Sequence, residues 1–331
     1  MVSRIGAILG LLLLSQYSLA AEYIVKLKSA NTISFAAVQG VSIQDYHAAG
    51  NLYQVDVDDN TLVDTLAELN SDPNVEYVVK NFKLQAFRAP LSPEALKEQW
   101  AVAKVNAEKA WQLAKNKGSR QVTIAVIDTG VDYNHPALKP NAVPGYDFKG
   151  NDSDPMDETG AQNPGHGTHC AGIMGSTGLV DGGTIGLSPE VSIMPIRFLG
   201  ADGSGDLMAG IKSIDYAIEK KVQVISASWG AAVPASQATP LIEAVQRADD
   251  AGVIFVAAAA NDGKNNDTRD VFPANSGTKN MIAVAASGPN DEKPSWSNFG
   301  KAKVDLASPG LTIMSTLPNN SYGNLSGTSM A

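Results

Sequence analysis

The sequence predicts an α/β protein whose main domain is a parallel sheet with helices on both faces, preceded by a small α+β unit. The observations behind this are two: apolar strand segments alternate with helical segments from about residue 120 onward, and shorter alternating strands precede them. The chain has 331 residues, 44% hydrophobic and 18% charged, which suits a large domain plus a small one. Its net charge of −9 argues against nucleic acid or an anionic membrane as the main partner.

Residues 1–20 have the pattern of a secretory signal peptide. Arg4 precedes the apolar run Ile5–Leu14, and the small residues Ser18–Ala20 follow it. The run is shorter than the ~20 residues of a membrane-spanning helix, so we expect a secreted protein, extracellular or in the periplasm or cell envelope, without a stable membrane anchor. The alternative is a buried N-terminal helix.

Residues 21–90 are expected to form the small α+β unit. The segments EYIVKL, LYQVDV and VEYVVK have strand patterns, and Leu62, Leu66 and Leu69 share one helical face. The two prolines of FRAPLSPEAL indicate a linker before the main domain.

Residues 91–331 carry the strand–helix alternation. QVTIAVID, VQVISAS and VIFVAAAA are continuous apolar strands, typical of a parallel sheet covered on both faces. Between them, DLMAGIKSIDYAIEKK places apolar residues at helical spacing. A second helix is expected to begin at Thr239–Pro240 and to end at Gly252.

Polar residues follow three of the predicted strands, where parallel sheets collect their chemistry. Asp128, Trp229–Gly230 and Asn261–Asp262 stand at these positions, His166 lies in GHGTHCAG and Ser329 in GTSMA. Each residue singly has an ordinary explanation as a helix cap or a core side chain. Together, Asp, His and Ser are the set that activates a hydroxyl for nucleophilic attack.

The segments VIDTGVDYNHPAL, GHGTHCAGI and GTSMA, in this order, resemble the subtilisin-like serine proteases, for which the order Asp, His, Ser is established. The resemblance implies a serine endopeptidase acting on polypeptides without a catalytic cofactor. It implies that Asp128, His166 and Ser329 form the catalytic triad, that Asn261 lies in the oxyanion hole, and that His169 is structural. Zinc is a poor match, because the H-E-x-x-H glutamate is absent from the sequence.

The resemblance also implies a substrate site in which two strands hold an extended peptide. The residues carried over to it are Leu199, Gly200, Ala201, Gly203, Ser228, Trp229, Gly230, Ala259 and Ala260. Ala260 stands where the family normally has glycine. We therefore expect either a strained backbone or a narrowed pocket that prefers smaller side chains.

Structural calcium is a further expectation. YDFKGNDSDPMD supplies four carboxylates, Asp147, Asp152, Asp154 and Asp157, at a spacing that suits a hard cation, and the family often has a calcium loop here. The alternative is a solvated acidic loop. Ala137, where relatives commonly carry aspartate, argues against a second site.

By the same resemblance, the small N-terminal unit is a ferredoxin-like prodomain that inhibits the protease intramolecularly. Its removal is expected by cleavage in the Phe87–Pro93 region. The single cysteine, Cys170, excludes an internal disulfide and lies four residues after His166, where a buried apolar role is expected.

The family usually continues Thr-Pro-His after the position of Ala331, so we expect a subtilase that is C-terminally incomplete just after the catalytic serine. A truncated, inactive pseudoenzyme or a protease-inhibitory binding module is the alternative. The order of the three residues excludes an α/β-hydrolase esterase, and the lack of G-x-G-x-x-G after the first strand of the main domain argues against a dinucleotide-binding enzyme.

Overall fold

A computed structural model describes residues 21–29, 38–87, 99–180 and 183–331, which form two compact units dividing after Lys80. The predicted signal peptide and the linker residues 88–98 lie outside the described residues. None of the helices in the described ranges combines the length and apolar character that crossing a membrane requires.

The first unit is a four-stranded antiparallel sheet with one helix in its described part. The strands are β1 (Ala21–Leu27), β2 (Val41–His47), β3 (Leu52–Val57) and β4 (Val75–Lys80), ordered β2-β3-β1-β4. Helix α1 (Leu62–Ser71) buries Leu69 against the sheet, and Leu62 and Leu66 pack beside it. The predicted α+β unit is confirmed.

The second unit is built on a seven-stranded parallel sheet, as predicted. Its strands are β6 (Thr123–Asp128), β7 (Tyr146–Asp147), β8 (Ser192–Arg197), β10 (Val224–Ala227), β12 (Ile254–Ala258), β13 (Met281–Ser287) and β14 (Leu306–Pro309). Their order is β14-β13-β12-β10-β6-β8-β7, and every pairing is parallel. Strands β6, β10 and β12 are neighbours, so their carboxyl ends meet at one edge.

Five helices of this unit are described: α2 (Trp100–Lys104), α3 (Ala107–Ala114), α4 (His166–Gly175), α5 (Leu207–Glu219) and α6 (Ala235–Asp250). Helix α5 follows the prediction, with Asp206 capping it through a 2.9 Å bond from the Ala209 amide. The predicted start of α6 is wrong, because the helix begins at Ala235 with Pro240 inside it. The Thr239 hydroxyl donates to the Ser236 carbonyl oxygen at 3.2 Å, so this carbonyl keeps a donor although Pro240 lacks an N–H.

Two smaller sheets complete the unit. Strand β5 (Lys83–Ala86) pairs antiparallel with both β9 (Ser204–Asp206) and β11 (Trp229–Gly230). Strands β15 (Ile313–Leu317) and β16 (Ser321–Leu325) form a hairpin that packs on α4. The sequence analysis did not predict the β15–β16 hairpin.

Candidate active site

Asp128 ends strand β6 and is buried, with 1% of its surface exposed. Its Oδ1 accepts a hydrogen bond from the Thr129 amide at 2.7 Å and lies 2.8 Å from His166 Nδ1. The end of β6 thus places a desolvated carboxylate at the edge of the sheet. A buried charge needs a hydrogen-bonding partner, and here that partner is the His166 imidazole.

His166 is the first residue of α4 and is also buried. Burial alone would lower the pKa of this imidazole, but the Asp128 carboxylate outweighs it and raises the pKa well above the usual value. The second ring nitrogen, Nε2, lies 3.3 Å from the Phe87 carbonyl oxygen. Nδ1 therefore faces the Asp128 carboxylate, and Nε2 faces the Phe87 carbonyl.

Ser329 follows the β15–β16 hairpin and reaches the same carbonyl. Its Oγ contacts the Phe87 carbonyl oxygen and lies 2.9 Å from the Ser228 carbonyl oxygen. The Phe87 oxygen thus touches both Ser329 Oγ and His166 Nε2. His166 and Ser329 thus meet at one peptide carbonyl, and Asp128 contacts the other ring nitrogen of His166.

Asn261 stands beside this cluster, just beyond β12. Its Oδ1 accepts bonds from the Thr328 amide at 2.9 Å and from the Thr328 hydroxyl at 3.0 Å. Its Nδ2 is buried and has no hydrogen-bond partner among the described residues. Thr328 therefore fixes the amide so that two donors remain for an incoming acceptor. The sequence analysis did not single out Thr328, although it immediately precedes Ser329.

Ala260 has a φ of 85°, in the left-handed region that favours glycine. The residue is buried and held on both sides: its amide donates to Thr328 Oγ1 at 3.1 Å, and its carbonyl accepts from the Asn298 amide at 2.9 Å. The expected backbone strain is present.

Strand β5 lies between β9 and β11 as an extended peptide would. Gln85 pairs with Ser204 and Gly230, and Ala86 pairs with Trp229. The Ala86 amide donates to the Gly203 carbonyl at 3.0 Å, and the Phe87 amide donates to the Ser228 carbonyl at 2.9 Å. The predicted strand addition is therefore seen within the chain itself.

The predicted substrate residues divide into two groups. Those in contact with the β5 backbone are Gly203, Ser228, Trp229 and Gly230. Leu199, Gly200 and Ala201 instead lie in the turn before β9, where the Gly200 amide donates to the Ser204 carbonyl, and the pairing strand Ser204–Asp206 follows them directly. Ala259 joins the sheet interior, since its amide donates to the Val284 carbonyl.

The Phe87 ring rests against Gly230. A Cβ added to Gly230 would lie 2.8 Å from Phe87 Cζ, so the glycine leaves room for the ring. A cavity of about 360 Å³ borders Phe87, Gly230 and Asn261. The expected preference for smaller side chains stays a prediction.

The four predicted calcium ligands do not gather at one point. Asp154 Oδ1 accepts from the Tyr133 hydroxyl at 2.6 Å, and the two oxygens of Asp157 accept bonds only from protein donors. Asp147 Oδ2 is 2.9 Å from Arg197 Nη1. Three of the four carboxylates thus face protein donors, and a calcium site built from all four stays a prediction that these contacts do not favour.

Asp147 and Asp152 still face one space. A Cβ on Gly150 would lie 2.7 Å from Asp147 Oδ2 and 3.2 Å from Asp152 Oδ2, so the glycine leaves a gap lined by two carboxylate oxygens. Asp147 Oδ2 already pairs with Arg197, so a hard cation at this place would share that oxygen with the guanidinium and take its second carboxylate oxygen from Asp152.

His169 and Cys170 complete the surroundings. His169 Nε2 lies 2.9 Å from the Ile313 carbonyl and 3.1 Å from that of Gly323, and burial lowers its pKa to about 3. It is neutral and links α4 to the hairpin, as a structural histidine would. Cys170 is buried as expected, with its Sγ 4.0 Å from His166 Nδ1.

Comparison with known proteins agrees with this geometry. Residues 119–331 match the model of the subtilase family of peptidases. Thermitase of Thermoactinomyces vulgaris is 41% identical over 242 residues, covering 73% of this chain and 81% of that protein. The thermophilic serine proteinase of Bacillus strain AK1 is 38% identical, over 80% of this chain and 62% of its own length.

Two further relatives widen the comparison. The major intracellular serine protease of Bacillus subtilis is 38% identical over 228 residues, covering 69% of each chain. The crystal structure of a cold-adapted subtilisin-like serine proteinase aligns with a TM-score of 0.57 and 34% identity, over 65% of this chain and 72% of the other.

Proposed function

Because this chain belongs to the subtilase family of serine-type peptidases, we propose that it is a secreted endopeptidase that uses Asp128, His166 and Ser329 as its triad. The observation that carries the proposal is the Phe87 carbonyl, which meets Ser329 Oγ and lies 3.3 Å from His166 Nε2. The predicted signal peptide supports secretion, although one relative is named as intracellular.

The reaction follows from the proposed roles. Ser329 Oγ attacks the peptide carbonyl carbon while neutral His166 takes its proton at Nε2. The carbonyl electrons move to oxygen, where Asn261 Nδ2 and the Ser329 amide donate to the negative charge; losing one such donor typically lowers the rate ~10²–10³-fold. His166 then gives its proton to the leaving nitrogen, the C–N bond breaks, and water hydrolyses the acyl-enzyme.

Polypeptide substrates are proposed to bind along the path of β5. Backbone pairing with β9 and β11 supplies affinity, and the side chains at two positions fill pockets. Leu84 is fully buried, and a Cβ on Gly210 would approach it to 2.7 Å, so this site takes a leucine-sized side chain. The Phe87 side chain, which packs against Gly230, is proposed to occupy the substrate position just before the cleaved bond. We propose that this position prefers large apolar residues.

The same contact supports a proposal for the bond cleaved during maturation. The residue whose carbonyl meets Ser329 is Phe87, so cleavage separates Phe87 from Arg88, within the predicted Phe87–Pro93 region. Residues up to Phe87 are then the inhibitory prodomain, which after cleavage remains a competitor for the substrate path. Calcium, if bound, is held through Asp147 and Asp152 and takes no part in the chemistry.

The test is self-processing of the full chain. We expect the parent to yield a new N-terminus at Arg88, measured by intact mass and N-terminal sequencing, while Ser329→Ala stays uncut. Ser321→Ala, which changes an exposed serine of the β15–β16 hairpin, serves as the control and is expected to process normally. A parent that stays uncut and hydrolyses no peptide would instead support the inactive binding module. Cleavage at another bond would refute the assignment of Phe87.

A further inference from the structure

Asp157 is a buried carboxylate for which the proposed mechanism has no role. Its side chain accepts four hydrogen bonds: Oδ1 from Thr129 Oγ1 at 2.9 Å and Asn163 Nδ2 at 3.0 Å, and Oδ2 from the Thr168 amide at 2.9 Å and Thr168 Oγ1 at 2.6 Å. All four partners are donors, so both oxygens act as acceptors and the carboxylate is saturated.

The partners of Asp157 adjoin the proposed catalytic residues. Thr129 follows Asp128 in the chain, and its amide donates to Asp128 Oδ1 at 2.7 Å. Thr129 Oγ1 also accepts from the Gly167 amide at 3.0 Å, directly after His166. One threonine therefore touches Asp157, Asp128 and the start of α4.

The first turn of α4 depends on the same group. Its leading amides would lack intrahelical acceptors, yet each finds one: His166 at Asn163 Oδ1 (2.7 Å), Gly167 at Thr129 and Thr168 at Asp157. The Asn163 side chain is itself tied to Asp157. A carboxylate at this end of a ten-residue helix also complements its dipole.

We propose that Asp157 is a positioning residue that fixes Asp128 against His166 by joining the end of β6 to the first turn of α4. This role rests on the proposed triad but concerns its geometry alone. Burial raises the pKa of Asp157 to about 6, so the hydrogen bonds, each of which favours the ionised form, are what keep this carboxylate charged in neutral solution.

The first experiment compares Asp157→Asn with the parent on a peptide substrate. The amide replaces one acceptor oxygen with a donor, so it faces either the Thr129 hydroxyl or the Thr168 amide unfavourably. Because misplacing a catalytic group by about 1 Å can lower a rate ~10²-fold, we expect kcat to fall roughly ten- to hundredfold. KM should change less than about threefold, since none of the Asp157 bonds described above reaches β9 or β11.

The control variant separates positioning from lost stability. Asp215 forms a half-buried pair with Arg247, at 2.6 Å between α5 and α6, remote in sequence from the triad. Asp215→Asn should lower the melting temperature while kcat stays within about twofold. Equal kcat losses in the two variants at matched folded fractions would overturn the proposal.

A spectroscopic measurement tests the geometry without turnover. The proton between His166 Nδ1 and Asp128 Oδ1 should give a far-downfield NMR signal in the parent, which Asp157→Asn shifts or broadens and Asp215→Asn leaves in place. If Asp157→Asn does not fold, Thr129→Val replaces it in the test, because it removes the hydroxyl that links Asp157 to Gly167. Thr129→Ser keeps a hydroxyl and should restore the signal. An unchanged signal in the folded variant contradicts the proposal. A parent inactive on peptides but showing the predicted signal changes would refute the proposed function alone.

Discussion

At the scale of single residues, Ala260 combines a φ of 85° with complete burial. An L-residue in this region is strained by roughly 1–2 kcal/mol, whereas glycine adopts it freely at some loss of unfolded-state entropy. We therefore expect Ala260→Gly to stabilise the protein by up to about 1 kcal/mol, which raises Tm by about 1–3 °C in a domain of this size. Differential scanning calorimetry measures this shift.

Ala259→Gly is the matched control, because Ala259 is equally buried but does not have a positive φ. It should lower Tm. Ala260→Gly should also leave the substrate preference unchanged, since the described pocket beside Phe87 is bordered by Gly230 and Asn261 rather than by Ala260. If a peptide library shows that Ala260→Gly cleaves after larger side chains than the parent does, Ala260 does narrow the pocket.

At the scale of elements, the loop after β7 tests what remains of the calcium prediction. Asp147 and Asp152 face the gap above Gly150, while Asp154 is bound to the Tyr133 hydroxyl. We expect EGTA to lower the Tm of the parent by a few degrees and added calcium to restore it, because a ligand that binds only the folded state stabilises it. Asp152→Asn should abolish this difference.

Asp154→Asn is the companion variant and should keep the calcium-dependent shift in Tm, since its carboxylate points elsewhere. If the parent has the same Tm in EGTA and in calcium, this loop does not bind calcium. A shift lost equally in both variants would mean that Asp154 turns toward the cation when it binds.

Elements also differ in how well the sequence predicted them. Strands β6, β10 and β12 were predicted because both faces are buried, which leaves a continuous apolar run. The pairing of β5 with β9 was not predicted, because β9 lies about 120 residues later in the chain and a short strand carries no signal that fixes its register. Helix α6 was placed four residues late, because Thr239 supports Pro240 inside the helix instead of capping it.

At the scale of the whole molecule, motif order predicted which residues meet but not how they are held. Asp128, His166 and Ser329 were identified by the resemblance; in the structure Asp128 contacts His166, and His166 and Ser329 both contact the Phe87 carbonyl. Asp157, predicted as a metal ligand, accepts four hydrogen bonds from protein groups, and an acidic loop in sequence does not reveal which donors its carboxylates will face. Orientation depends on tertiary contacts, which spacing alone does not encode.

The response of the whole fold to acid depends on His169. Its pKa falls from 6.5 to about 3 on folding, mainly through burial, so between these values the unfolded chain binds the extra proton and the folded chain does not. Stability contributed by the neutral ring is therefore complete above pH 6.5 and decreases by up to about 1.4 kcal/mol per unit as the pH falls toward 3. Asp157 contributes with the opposite sign between 3.8 and about 6, because its folded pKa is raised.

A variant isolates the share of His169. In His169→Gln the side-chain amide can still donate to the Ile313 and Gly323 carbonyls, which lie 2.9 and 3.1 Å from His169 Nε2, but it does not titrate. We expect the variant to be less stable than the parent at pH 8 and to lose less stability between pH 6.5 and 4.5, as measured by urea unfolding at each pH. Since the Asp157 contribution is common to both proteins, the difference between the two curves reports His169 alone. Parallel curves would show that the loss of stability in acid arises from groups other than His169, which lies where α4 contacts the β15–β16 hairpin.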